Sequence, residues 1–256
     1  MDDAISLAVA DGIGRIVIRR PERRNAFSRA MWRRMAAMLD RAAAEPSLGV
    51  LLILGEGGHF CAGADISEFA DTYADAETAA AANAEIAAVV EALAAFTRPT
   101  IAAISGACVG GGVSLALACD LRVADATARF AVTPAKLGLI YAHGDTLRLV
   151  RAVGPARAKE LLFTGRALDA AEAARIGLVG TLAEDARAEG DALASTLAAA
   201  SRPALRAIKR MVDDAAAGVP EGPQHRAAFA GTFHGADFAE GRAAFLEKRP
   251  ARFREP

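Results

Sequence analysis

The sequence predicts an α/β fold, on three observations. Short apolar runs alternate with helix-like segments through the first half, a glycine-rich passage joins a strand to a helix near residue 110, and strand signals almost vanish from about Gly144 onward. In chain order, Ile13 to Ile18 reads as a strand, Pro21 to Asn25 as a polar turn, and Phe27 to Ala44 as a helix. That helix begins near Ser28, whose hydroxyl suits an N-cap. Val50 to Leu54 is a continuous apolar run, as a strand buried on both faces requires, and Gly55 to Gly58 ends it. After a loop around Ala62 to Asp65, the alanine-rich stretch Asp71 to Ala95 reads as mostly helical. Thr100 to Ile104 is the next strand. Gly106 to Gly112 leads into a helix over Val113 to Ala118, and Leu121 to Ala124 is a further strand, which completes a βαβ pattern. Helix punctuation follows: Pro155 as a first helical residue, Asp169 as a cap, Gly177 past an end, and Pro203 opening a run through Ala217. Gly218, Pro220, Gly222 and Pro223 break the chain before two short C-terminal helices.

With 256 residues, the chain is long enough for one sizeable core and an appendage. Its 30 Lys and Arg against 31 Asp and Glu leave a net charge of −1, which argues against nucleic-acid or membrane-surface binding. Cys61, Cys108 and Cys119 are odd in number, share no metal or redox spacing and sit in apolar runs, so a reducing compartment is expected. The acidic start, Met1 to Ala4, is unlike a secretory signal, and no apolar stretch reaches the roughly 20 residues of a membrane span. These features together predict a cytoplasmic protein.

Three features carry chemistry. Cys61-Ala62-Gly63-Ala64-Asp65-Ile66 is a loop of small residues just after a buried strand, where backbone N–H groups can approach a ligand closely. Gly106-Ala107-Cys108-Val109-Gly110-Gly111-Gly112 lies at a helix start, where the first N–H groups lack partners and can point at an anion or a polarised carbonyl oxygen. It is not a phosphate loop, because no Lys-Ser or Lys-Thr follows. Two N–H groups from two such loops are what an oxyanion hole for a thioester carbonyl requires. The third feature is the run Arg15, Arg19, Arg20, Arg23, Arg24, Arg29, Arg33 and Arg34, read either as a solvated face or as a counter-charge for a phosphorylated handle.

At these residues the chain resembles the enoyl-CoA hydratase/isomerase (crotonase) family over essentially its full length. The matching stretches are Arg20 to Ala26, His59 to Ile66, Gly106 to Gly112, Leu161 to Gly165 with Ala170 to Val179, and Glu240-Gly241 with Phe245 to Pro250. The resemblance implies a crotonase-like spiral of repeated ββα units over residues 1–195, with the acyl-CoA site. It further implies a helical region over 196–256 that builds a homotrimer or a dimer of trimers. By the same resemblance, the N–H groups of Ala64 and Gly111 hold the thioester oxygen, and Arg24, Ala26, Ala62, Asp65 and Ile66 line the coenzyme A site. Lys248 reaches a nucleotide bound in the adjacent subunit. Coenzyme A enters as part of the substrate, and no metal and no separate cofactor are expected.

Hydratases of the family carry a glutamate two positions beyond the glycine triplet and another just after the next strand. Here Ser114 stands at the first position, and Pro134 or Ala135 at the second. Neither site offers a proton acceptor, so simple hydration of an enoyl-CoA is not expected. The loop Thr133-Pro134-Ala135-Lys136-Leu137-Gly138-Leu139-Ile140-Tyr141 is similar to that of methylmalonyl-CoA decarboxylases, which marks Tyr141 as a site residue or, on the other reading, a core-packing one. That enzyme's histidine beside the first oxyanion position is Ala64 here. His143, Asp145 and Glu68 are further polar candidates: His143 as a proton-transfer group or an exposed loop residue, Asp145 beside it as a helix cap, and Glu68 facing solvent or a backbone amide. Isomerisation, decarboxylation, hydrolysis, specialised hydration and plain sequestration of an acyl-CoA all remain open. The acyl pocket is expected around Phe69 to Tyr73 and the helix that begins near Asp75.

Overall fold

The computed structural model describes residues 4–253; the acidic residues 1–3 lie outside it. Strands β1 (Ile5–Ala10) and β2 (Ile13–Ile18) form a hairpin closed by Asp11 and Gly12, both at positive φ. Asp-Gly between apolar runs is a tight-turn signal, and β1 is a strand that the sequence reading above omits. Helix α1 (Arg29–Ala44) follows, and the Ser28 hydroxyl accepts from the Met31 N–H at 3.2 Å, so the cap is where the sequence places it.

β3 (Val50–Gly55) lies parallel to β2. Beyond it come the short helix α2 (Phe69–Thr72) and the long α3 (Ala76–Ala94), capped by Asp75. The chain then runs through β4 (Thr100–Ile104), β5 (Ala107–Val109) and α4 (Gly111–Ala118), and next through β6 (Leu121–Asp125), β7 (Arg129–Ala131) and α5 (His143–Thr164). These are two successive ββα units. In each, the first strand joins a six-stranded sheet and the second joins a three-stranded one. Helix α5 breaks at Gly154 (φ 76°), and Pro155 starts its second half, as expected of a first-turn proline.

β8 (Ala167–Asp169), α6 (Ala170–Arg175) and β9 (Thr181–Ala183) complete the sheets, whose orders are β1-β2-β3-β4-β6-β9 and β5-β7-β8. These two are the strands described after Gly144, where strand signals almost vanish from the sequence. Each has only three residues, too few to leave an alternating pattern. α7 (Ala186–Ala198) lies on the large sheet, and α8 (Arg202–Ala216), α9 (Pro223–Thr232) and α10 (Ala236–Glu247) follow.

The large sheet is covered on both faces. Leu51, Ile53, Ala102 and Ile104 pack with Met31, Met35 and Leu39 of α1 on one side, while Val50, Leu52, Leu54 and Ala103 meet Ala186 and Ala194 of α7 on the other. Two buried faces are why Val50 to Leu54 is apolar without alternation. By contrast α8 and α9 bury no residue, and Ile208, Val212, Phe229, Phe233, Phe245 and Leu246 stand exposed. The crotonase-like α/β class expected from the sequence is the architecture observed.

Candidate active site

The site begins with a loop locked from inside. Pro21 to Arg23 make one 3-10 turn, after which Arg24 (φ 51°) and Asn25 (φ 59°) take the left-handed conformation. Asn25 is fully buried. Its side-chain oxygen accepts from the Arg20 N–H at 2.7 Å, and its amide donates to the carbonyls of Glu56 (2.9 Å) and His59 (2.6 Å). The Arg24 carbonyl in turn accepts from Ala62 N–H at 3.0 Å, and Phe27 pairs with Ala64 in a parallel bridge. The turn therefore carries the loop that follows β3 as a fixed attachment.

A second pairing, Cys61 with Cys108, lays that loop beside β5: Cys61 N–H donates to Ala107, and Val109 N–H donates back to Cys61, both at 2.9 Å. Gly63 (φ 97°) faces this seam. A Cβ there would stand 2.8 Å from the Val109 carbonyl oxygen and 3.6 Å from the Gly111 nitrogen, so only glycine lets the two loops close. A Cβ on Gly112 would likewise collide with the Cys61 carbonyl. His59 Nδ1 accepts from the Ala107 N–H at 3.1 Å and pins the start of the glycine passage.

Among the described residues, the N–H groups of Gly111 and Ala64 on this seam meet no backbone acceptor. Gly111 is the first residue of α4, and the first intrahelical donor is Ser114 N–H, to Gly110. Among the described residues the Ala64 N–H also meets no backbone acceptor, since its neighbours Phe27 and Asp65 complete the bridge around it. Asp65 caps the next 3-10 turn by accepting from Ser67, and it pairs with Arg20 at 2.6 Å. Those contacts, led by the Ser67 hydroxyl, hold its carboxyl down at about 2 despite its burial. Glu68 accepts from the Arg29 N–H at 2.7 Å, the backbone-amide alternative. Trp32, the only tryptophan, packs against Phe27 with ring centroids 4.6 Å apart and lies against Gly111. Together with Ala64, Phe69, Tyr73 and Ile86 they line a cleft, where the acyl pocket was expected.

Beneath the seam lies a chain of three polar side chains. Ser114 Oγ is 2.8 Å from Tyr141 OH and 2.8 Å from Asp145 Oδ2, and Tyr141 OH lies 3.3 Å from the Gly110 carbonyl oxygen. Arg148 donates to the other Asp145 oxygen at 3.2 Å and pairs with Glu91 at 2.6 Å. Burial raises the Asp145 carboxyl above its ordinary range, against the Ser114 hydrogen bond and the Arg148 charge. Burial, with the Asp145 charge added, also raises the Tyr141 phenol and keeps it protonated at neutral pH.

The structure thus brings Ala64, Gly111, Ser114 and Tyr141 together. His143, by contrast, is the exposed first residue of α5, outside this hydrogen-bonded chain. Asp145 is no helix cap: α5 has Ala142 at that position with no side-chain bond, and Asp145 turns inward instead. Pro134 opens a 3-10 turn, Pro134–Leu137, and supplies no proton acceptor. Most of the arginine run is engaged within the chain, Arg15 with Asp191, Arg19 with Glu56, and both Arg29 and Arg33 with Glu85. Arg24 is exposed beside Ala62, Ile66 is 67% exposed, and Lys248 ends α10 in the left-handed conformation. Asn25 and Trp32 belong to the site as well, although neither stands out in the sequence. An asparagine able to take positive φ within Arg20 to Ala26 was the available signal for the first, and the sole tryptophan four residues past the Ser28 cap for the second.

The family model described as enoyl-CoA hydratase/isomerase matches residues 8–256. A Mycobacterium tuberculosis protein described as a probable enoyl-CoA hydratase is 39% identical over an alignment of 246 residues that covers 94% of this chain and 94% of that one. Among solved structures, an enoyl-CoA hydratase/isomerase family protein from Hyphomonas neptunium superposes with a TM-score of 0.94 at 46% identity, over 99% of this chain and 98% of that one. An enoyl-CoA hydratase/carnitine racemase from Magnetospirillum magneticum gives 0.95 at 34% identity, over 100% and 97%.

Proposed function

The chain belongs to the enoyl-CoA hydratase/isomerase family, and from that premise we propose that it binds an acyl-CoA thioester with the carbonyl oxygen between the N–H groups of Ala64 and Gly111. Negative charge grows on that oxygen as the thioester passes to its enolate, and two fixed donors stabilise the enolate more than the ground state. The observation that carries this reading is that the N–H groups of Ala64 and Gly111 stand unspent on a seam that Gly63 and Gly112 allow to close.

The coenzyme A handle runs along Arg24, Ala26, Ala62, Asp65 and Ile66. Arg24 supports it with a guanidinium in no ion pair among the described residues; the Asp65 side chain is taken up by Arg20 and Ser67, so this residue serves through its backbone. Coenzyme A comes with the substrate, and no further cofactor is invoked. The exposed apolar residues of α8 to α10 support assembly into a trimer or a dimer of trimers, in which Lys248 meets a neighbour's nucleotide. The reaction is not simple hydration, because Ser114, and Pro134 or Ala135, stand where hydratases carry the two carboxylates that handle the protons of water. A second reading, decarboxylation, rests on the loop Thr133 to Tyr141, which is similar to that of methylmalonyl-CoA decarboxylases.

The test is a panel of acyl-, enoyl- and malonyl-type CoA thioesters followed by chromatography and mass spectrometry, with wild type and Gly111→Pro. Proline is tolerated at a first helical position and removes the N–H. The folded variant should still bind thioester and lose about 100-fold or more in turnover. Wild-type turnover in folded Gly111→Pro sinks the reading. Binding without conversion in wild type points to sequestration.

A further inference from the structure

A site stripped of both glutamates still contains a carboxylate. Asp145 reaches Ser114, which occupies the position of the first glutamate in hydratases, from a different element, α5. The other acids nearby are occupied, Asp65 with Arg20 and Ser67, Glu68 with the Arg29 N–H, and Glu91 with Arg148.

We propose that Asp145 is the proton store of this site: through the hydroxyls of Ser114 and Tyr141 it takes a proton from the carbon beside the thioester and later returns one. The proposal rests on the reading of Ala64 and Gly111 as the oxyanion hole. It assigns the reaction to proton transfer at carbon, a double-bond shift or an inversion next to the thioester, with no addition of water.

The hydrogen bonds dictate the direction. Ser114 has one proton, so when Asp145 is ionised the hydroxyl donates to Oδ2, and Tyr141 donates to Ser114 across 2.8 Å in preference to the Gly110 carbonyl at 3.3 Å. Tyr141 then has a lone pair with which to accept a proton. When Asp145 is protonated, the chain reverses and Tyr141 presents its O–H. In the forward step the α C–H bond breaks and its electron pair enters the enolate. The proton joins the Tyr141 oxygen as the Tyr141 proton moves to Ser114 and the Ser114 proton to Asp145. The return step runs each transfer backwards, onto the same carbon or onto the far end of a dienolate. Tyr141 is the catalytic residue here, and Ser114 and Asp145 act through it.

The groups facing Asp145 are Ser114 on α4, Arg148 on its own helix, Tyr141, and Glu91 on α3, with the Cys108 thiol of β5 near Tyr141. Burial and Glu91 outweigh Arg148 and Ser114, so the carboxyl titrates above its usual range. Proton abstraction therefore rises with pH through that titration.

The experiment is exchange of the α hydrogens of butyryl-CoA for deuterium in heavy water, read by mass spectrometry across pH, with butyryl-CoA affinity measured in parallel. Wild type should exchange with a rate that rises with pH. Asp145→Asn and Ser114→Ala should each lose about 100-fold or more, with affinity within a few-fold and the pH rise gone. Ser114→Ala leaves the Arg148 contact to Asp145 in place and so guards against a fold defect in Asp145→Asn. Undiminished exchange in either variant overturns the relay, as does loss of exchange together with affinity, which marks a scaffold role. Wild type that binds butyryl-CoA without exchange also overturns the relay and leaves the oxyanion reading standing. Absence of binding removes both.

Discussion

The Asn25 side-chain amide donates to the His59 carbonyl at 2.6 Å, and through that bond the turn before α1 holds the segment that leads into Ala64. Asn25→Ala would strand the Arg20 N–H and the Glu56 and His59 carbonyls and put an alanine at φ 59°. Left-handed backbone costs about 1–2 kcal/mol for such a residue, and each stranded buried group about 1–3 kcal/mol before relaxation. A loss of about 2–4 kcal/mol in chemical denaturation is expected, with weakened thioester binding. Asn25→Ala with wild-type stability would show that the turn relaxes freely.

A second prediction concerns acid. Asp65 titrates at about 2 in the folded chain, below its ordinary 3.8, first because of the Ser67 hydroxyl and then through Ser67 N–H and Arg20. A depressed carboxyl contributes stability that is present above the unfolded value and lost as pH falls from about 4 towards 2. The contribution is on the order of 1–2 kcal/mol. Thermal melting of wild type should therefore fall more steeply over that range than melting of Asp65→Asn, which already lacks the charge. Parallel curves for the two proteins would refute it.

The large sheet was legible because burial on both faces writes itself as unbroken apolar runs, as in Val50 to Leu54, and helices α1 and α6 announced their caps at Ser28 and Asp169. The three-residue strands β5, β7, β8 and β9 were not, because they are held by pairing across the chain, such as Cys61 with Cys108, and not by their own composition. The same holds for the site. Gly63 and Gly111 stand out in sequence because close backbone approach demands small residues. Asp145, however, is 31 positions from Ser114, and nothing local distinguishes an inward aspartate on the first turn of a helix from a cap.

The exposed residues of the C-terminal helices give the last prediction. Phe245 is 83% exposed and Leu246 is 73% exposed at the end of α10, and Phe229, Phe233 and Phe238 stack edge to face nearby in sequence. A globular chain seldom leaves so many large apolar side chains in water, and covering one such ring contributes about 1.5–3 kcal/mol. If these faces close a trimer, Phe245→Glu removes that burial and places an unpaired charge in each contact. Light scattering over a concentration series should then show wild type as a trimer or hexamer, and the variant dissociating at protein concentrations at least tenfold higher, since about 1.4 kcal/mol corresponds to a factor of ten. A wild type that is monomeric at micromolar concentration, or a Phe245→Glu protein as tightly assembled as wild type, would place the contact elsewhere. Loss of thioester affinity on dissociation, with the fold intact, would tie Lys248 to the neighbour's site as proposed.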